Sequence, residues 1–129
     1  LTLATGKKLM VPFDELIIFS TNLDPADLVD EAFLRRIPYK IHVEGPDEPT
    51  FRNLFHIMAR KAGMALAEAD LDYLVNKHYR NVGRPFRACQ ARDLVDQVAN
   101  MCKYRDMPPT MDRAMLDRAV ANYFAVMMQ

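Results

Sequence analysis

At Gly45-Pro46 the hydrophobic periodicity of this chain changes, and no other feature limits the fold as strongly. Before that point Leu9, Val11 and Phe13 alternate with other residues, and Leu16 to Phe19 is a continuous apolar run. Tyr39, Ile41 and Val43 then alternate with Lys40, His42 and Glu44. After it, apolar residues recur at i, i+3, i+4 and i+7. A period near 2 belongs to strands and one near 3.6 to amphipathic helices. The expected architecture is therefore an α/β remnant over residues 1–44, a hinge at Gly45-Pro46, and an all-α bundle over residues 45–129.

The first part reads as pieces of a sheet. Leu9 to Phe13 suits an edge strand or hairpin arm, since Pro12 is tolerated only at an edge. Leu16 to Phe19 has the composition of a strand buried on both faces of a parallel sheet. Asp24-Pro25 supplies an N-cap and a first-turn proline, with Asp27 near the positive end of the helix dipole. One short helix should follow and end near Leu34, burying Leu28, Val29, Ala32 and Phe33. Tyr39 to Val43 reads as a second strand with one exposed face.

The second part predicts four helices with short connections, a small bundle. Asp47 caps the first, with Pro49 in its first turn and Phe51, Leu54, Phe55 and Met58 on its buried stripe. Gly63 ends it. Leu71, Leu74, Val75, His78 and Tyr79 line the second, closed by Asn81 to Gly83. Leu94, Val95, Val98, Met101 and Cys102 line the third, which Pro108-Pro109 stops. Thr110 is expected to cap the fourth, lined by Leu116, Val120, Tyr123, Phe124 and Met127.

Composition narrows the function classes. A length of 129 residues fits one domain or two small packed pieces. Seventeen basic and 17 acidic residues balance, which argues against a nucleic-acid surface built on bulk charge. Cys89 and Cys102 are too few and too far apart for a disulfide framework or zinc site and read as reduced thiols, Cys102 in the core. His42, His56 and His78 lack metal-ligand spacing. The nine methionines lie mostly at core spacing. No run of about 18 apolar residues and no secretory signal appears, so a cytoplasmic protein without a membrane partner is expected. The chain opens at Leu1 without an initiator methionine, which leads to the expectation that it is a piece of something longer.

Three features are candidates for chemistry. Asn22 lies at the carboxyl end of the expected parallel strand, where open α/β sheets bind ligands, and its amide can orient a water or a phosphate oxygen. Equally, Thr21 and Asn22 can simply turn the chain into the Asp24 cap. Arg35 and Arg36 follow the expected helix, where arginine is favourable with the dipole and needs no further reason. A guanidinium can also stabilise charge on a transferring phosphoryl group. In "GRPFRACQARDL", residues 83–94, Arg84, Arg87 and Arg92 crowd the start of the third helix, where backbone N–H groups attract phosphate. Solvated loop arginines are the alternative.

Taken in order, "FSTN", "DPADLVDEAFLRRI", a strand, a hinge and a helical part containing "ARDL" resemble the C-terminal part of the AAA+ ATPase module, closest to bacterial chaperone-like ATPases. The resemblance covers almost the whole chain and is most specific between residues 13 and 50. It implies the end of a P-loop NTPase α/β core followed by a four-helix lid. By that resemblance Asn22 matches sensor 1, which positions the attacking water against the γ-phosphate. Arg35 or Arg36 matches the arginine finger that reaches the neighbouring subunit's nucleotide. Arg92 matches sensor 2, with Arg87 as the alternative. The implied partners are further copies in a hexameric ring and a protein substrate to be remodelled, and the implied cofactors are ATP and Mg2+.

Two parts of such a module have no counterpart in the sequence. A P-loop needs G-x-x-x-x-G-K-[ST], whereas "ATGKK" at residues 4–8 has Lys8 at the hydroxyl position and reads as a hairpin turn. No apolar strand ends in Asp-Glu to hold magnesium. The expectation is that this chain alone neither binds ATP tightly nor hydrolyses it. A different class remains open, a helical protein-interaction module without a nucleotide role, in which the asparagine and the arginines would be coincidental.

Overall fold

The computed structural model describes residues 2–28 and 30–125, except the Leu28 side chain. The expectations for Val29 and Met127 lie outside the described residues. The chain divides into two compact units, Leu1–His42 and Val43–Gln129.

The helical unit contains α3 (Glu48–Lys61), α4 (Glu68–Val75) continued by a π-helical turn (Asn76–Arg80), α5 (Ala88–Tyr104) and α6 (Arg113–Ala125). Several of these boundaries have a local cause. The Asp47 carboxylate accepts from the Thr50 N–H at 2.9 Å, and that bond holds its pKa below the usual range. Gly63 takes φ +67 just past α3, where the left-handed region favours glycine. The start of α6 corrects the expectation for Thr110. Asp112 caps this helix by accepting from the Met115 N–H at 2.8 Å, while the Thr110 hydroxyl donates to the Pro108 carbonyl. Thr110 instead lies in an isolated bridge with Ala65, two residues before Asp112.

The stripes converge on one core. Phe51, Phe55, Leu71, Leu74, Tyr79, Leu94, Val98 and Leu116 are fully buried, and α5 packs against both α3 and α6. Phe86, between the π-turn and α5, stacks on Tyr79 with ring centroids 5.0 Å apart. Cys102 is buried as expected, and its thiol donates to the Thr110 carbonyl.

The N-terminal unit differs from the sequence reading. Among the described residues no strand forms at 9–13, 16–19 or 39–43, and the β-pairing present is two isolated bridges, Thr2 with Lys8 and, in the helical unit, Ala65 with Thr110. Leu16 is 88% exposed and Ile41 88% exposed. A strand's N–H and C=O groups need a partner strand, and no segment of this unit supplies one. The α/β remnant is thus absent as a sheet, although "ATGKK" does form a tight turn, with Gly6 at φ +77. The single helix expected after Asp24 is two four-residue pieces, α1 (Pro25–Leu28) and α2 (Glu31–Leu34). The Asp30 carboxylate restarts the helix by accepting from the Phe33 N–H at 2.8 Å. The expected buried stripe is exposed at Ala32 and Phe33.

Candidate functional site

The residues singled out in the sequence fall in both units. In the N-terminal unit Asn22 is exposed in a bend, and the Thr21 hydroxyl beside it accepts from the Leu23 N–H at 3.0 Å. That bond is the chain-turning role weighed for this dipeptide. Arg35 flanks the end of α2 and donates to Glu31 one turn back at 2.9 Å, with both side chains largely exposed. Arg36 is exposed next to it, and its guanidinium has no bonded partner among the described residues.

In the helical unit the three arginines of residues 83–94 separate by role. Gly83, at φ +65, closes the π-turn and lets the Arg84 N–H reach the Tyr79 carbonyl at 2.9 Å. The Arg84 guanidinium lies 3.5 Å from the centre of the Phe124 ring and donates to the His78 carbonyl at 2.7 Å. Its charge is spent on holding the end of α6 to the π-turn. Arg84 is therefore a packing residue.

Arg87 is the residue preceding α5. Its side chain is exposed, makes no capping bond, and has no bonded partner among the described residues. Tyr79 fixes this helix start from inside, donating its hydroxyl to the buried Gln90 side chain at 3.1 Å, and burial pushes the Tyr79 hydroxyl pKa up. Gly45 fixes the preceding loop, because a Cβ there would lie 3.1 Å from the Phe86 carbonyl. The result is an uncapped helix start with an unengaged guanidinium beside it, a setting that favours anions.

Arg92, in the second turn of α5, is exposed and engaged. Its Nε and Nη2 donate to the same Asp93 oxygen at 3.0 and 2.9 Å, raising the arginine's pKa. The other Asp93 oxygen accepts from the Tyr123 hydroxyl of α6 at 3.0 Å.

Another cluster escaped the sequence reading. Asp117 on α6 accepts from His78, from Lys77 at 3.0 Å and from the Tyr73 hydroxyl at 2.8 Å. Burial works against its charge, but the donors prevail and pull its pKa down to about 2. The signal in the sequence was a carboxylate next to Leu116, at the margin of the α6 stripe. His78 sits on the bundle stripe as read, with its ring hydrogen-bonded to Asp117. Among the described residues, no group of three His, Cys, Asp or Glu side chains could hold a metal ion, and no helix is long and apolar enough to cross a membrane.

Against this geometry, the profile of a family described as a domain of unknown function (DUF8689) matches residues 47–122, the helical unit from the Asp47 cap into α6. Over 103 residues, 78% of this chain, the sequence is 28% identical to Spastin of Anopheles gambiae. The chain spans 12% of that relative's length. No solved structure matches.

Proposed function

The chain belongs to the family described as DUF8689, and from that premise we propose that it is the C-terminal part of an AAA+ ATPase module, with its helical unit serving as the lid. The observation that carries this reading is the start of α5, uncapped and flanked by the unengaged Arg87, with Arg92 exposed one turn on. The motif order along the chain supports it, and so does the similarity to Spastin, which points to an AAA ATPase relationship. Arg92, or Arg87 in its place, contacts the γ-phosphate of ATP as sensor 2. Asn22 orients the attacking water as sensor 1. Arg35 or Arg36 is the finger offered to a neighbouring copy in a hexameric ring, which remodels a protein substrate in the cytoplasm.

The described residues could meet phosphate oxygens through guanidinium groups, the Asn22 amide and the backbone N–H groups at the start of α5. Among the described residues no group of three His, Cys, Asp or Glu side chains could hold a metal ion, so no chemical step is assigned to the metal on this chain. In the longer protein, Arg35→Ala and Arg36→Ala are to be assayed for ATP turnover and for ATP binding. One of them should abolish turnover and leave binding largely intact, whereas Arg92→Ala should weaken nucleotide-dependent closure. Unchanged turnover in all three variants would refute the assignments. The rival reading, a helical interaction module without a nucleotide role, is favoured by one observation, the exposed apolar residues between Leu9 and Phe19. It predicts that result.

A further inference from the structure

Arg92 does not point freely into solvent. Adjacent positions on a helix do not face each other, so a pair at i, i+1 forms only if something draws the two side chains together. Here Tyr123 does so from the facing helix: its hydroxyl holds one oxygen of Asp93, which leaves the other aimed at the Arg92 Nε and Nη2. Tyr123 is itself fixed, packed edge-on against Phe124 at 4.9 Å, and Phe124 carries the Arg84 guanidinium. Burial and the bond to Asp93 push the Tyr123 hydroxyl pKa up to about 12, so it stays a donor through the neutral range.

We propose that Asp93 is a built-in competitor for Arg92: its carboxylate, held from behind by Tyr123, occupies the guanidinium until the phosphate oxygens of a nucleotide displace it. The inference rests on the reading of Arg92 as a phosphate ligand and adds how that contact is regulated. The exchange is a modest one. When Arg92 turns outward, Asp93 keeps the Tyr123 hydroxyl, so the carboxylate is not left without a donor. The guanidinium being released is 63% exposed and its Asp93 partner 27%, which limits the competition to about threefold to fivefold in anion affinity. Asp93 and Tyr123 are thus positioning residues, and they make the readiness of Arg92 depend on α6.

The test is a titration of the whole chain with inorganic tripolyphosphate at low salt, read by NMR at the Arg92 Nε–Hε group and the first amides of α5. Asp93→Asn should strengthen binding about threefold to fivefold. It should also shift the Arg92 Hε resonance before any anion is added. Asp96→Asn makes the same charge change near Arg92 without touching it, and should do less. Tyr123→Phe removes the bond that aims Asp93 at Arg92 and should strengthen binding, by no more than Asp93→Asn does, an effect that vanishes in the Asp93→Asn background. If Arg92→Ala binds tripolyphosphate as the unaltered chain does, the phosphate reading fails and the competitor with it. If Arg92→Ala binds more weakly but Asp93→Asn does no more than Asp96→Asn, the phosphate reading stands and the competitor alone is overturned.

Discussion

The two units of this chain carry the same kinds of apolar residue and treat them in opposite ways. In Val43–Gln129 the side chains of Phe51, Phe55, Leu71, Leu74 and Val98 are completely removed from solvent. In Leu1–His42 Leu16, Ile18 and Ile41 remain more than four-fifths exposed. The difference lies in how each kind of segment satisfies its backbone. A helix closes its own N–H to C=O bonds, so α3 to α6 need each other only to cover their stripes. A strand makes all of its backbone ladder bonds to other segments, so an apolar run such as Leu16–Phe19 cannot become a strand unless another segment pairs with it. Hydrophobic composition alone does not decide burial.

The largest test of that contrast is truncation of one large side chain in each unit. Phe55→Ala removes a fully buried ring from the core between α3 and its neighbours, and should cost about 3–5 kcal/mol in urea unfolding. Ile18→Ala, at a side chain 81% exposed, should change stability by less than about 0.5 kcal/mol. A comparable loss from both would mean that the N-terminal unit has a core of its own, and the contrast would be broken.

Helix caps give a smaller version of the comparison. Asp112→Ala removes the bond that starts α6, a helix that buries Met115, Leu116, Ala119 and Val120, and should cost about 1 kcal/mol. Asp30→Ala removes a cap of similar geometry from α2, a four-residue helix that buries nothing. No measurable change in global unfolding is expected there.

Much of the helical unit was legible because its signals are local. Asp47, Gly63 and Gly83 mark ends through bonds and dihedrals within a few residues, and the 3.6 period of Phe51, Leu54, Phe55 and Met58 names a face. The sheet was misread for the opposite reason. Leu16–Phe19 records a preference that only a distant partner could realise, and nothing in the run states whether that partner is present. At the candidate site the sequence grouped Arg84, Arg87 and Arg92 by position alone, and only the family resemblance put Arg92 first, with Arg87 as the alternative. What separates them is tertiary: the Phe124 ring under Arg84, and Tyr123 reaching Asp93 from thirty positions away. The Asp117 cluster was invisible on the same grounds, since its donors lie near residue 75.

That cluster also predicts an acid response confined to the helical unit. The folded pKa of Asp117 lies near 2, below the ordinary carboxylate value near 4. The stabilisation is therefore present above pH 4 and lost as pH falls through 2. With part of the carboxylate facing solvent, it should amount to about 1 kcal/mol. Unfolding of the unaltered chain and of Asp117→Asn should differ by that amount at pH 7 and converge near pH 2. A difference independent of pH would assign the cost to packing.

Ion pairs provide the finest comparison. In the helical unit Glu48 accepts from Arg52 at 3.0 Å and from Arg80 at 2.7 Å, and Arg52 reaches Asp72 at 2.6 Å. These bonds tie α3 to α4 and the π-turn, and the Glu48 and Arg52 side chains are only 22% exposed. In the N-terminal unit Glu31 and Arg35 make a pair of the same spacing at 2.9 Å, but with 82% and 75% exposure and no third member among the described residues. A lone solvated pair repays little of the side-chain freedom it costs, whereas a network on a packed surface shares that cost. Glu48→Gln should lower stability by about 0.5–1 kcal/mol, an effect that shrinks at high salt. Glu31→Gln should leave the unfolding curve unchanged at any ionic strength. A measurable loss at Glu31 would show that α2 packs against something that stabilises it, and the exposed character of the N-terminal unit would need to be redrawn around that contact.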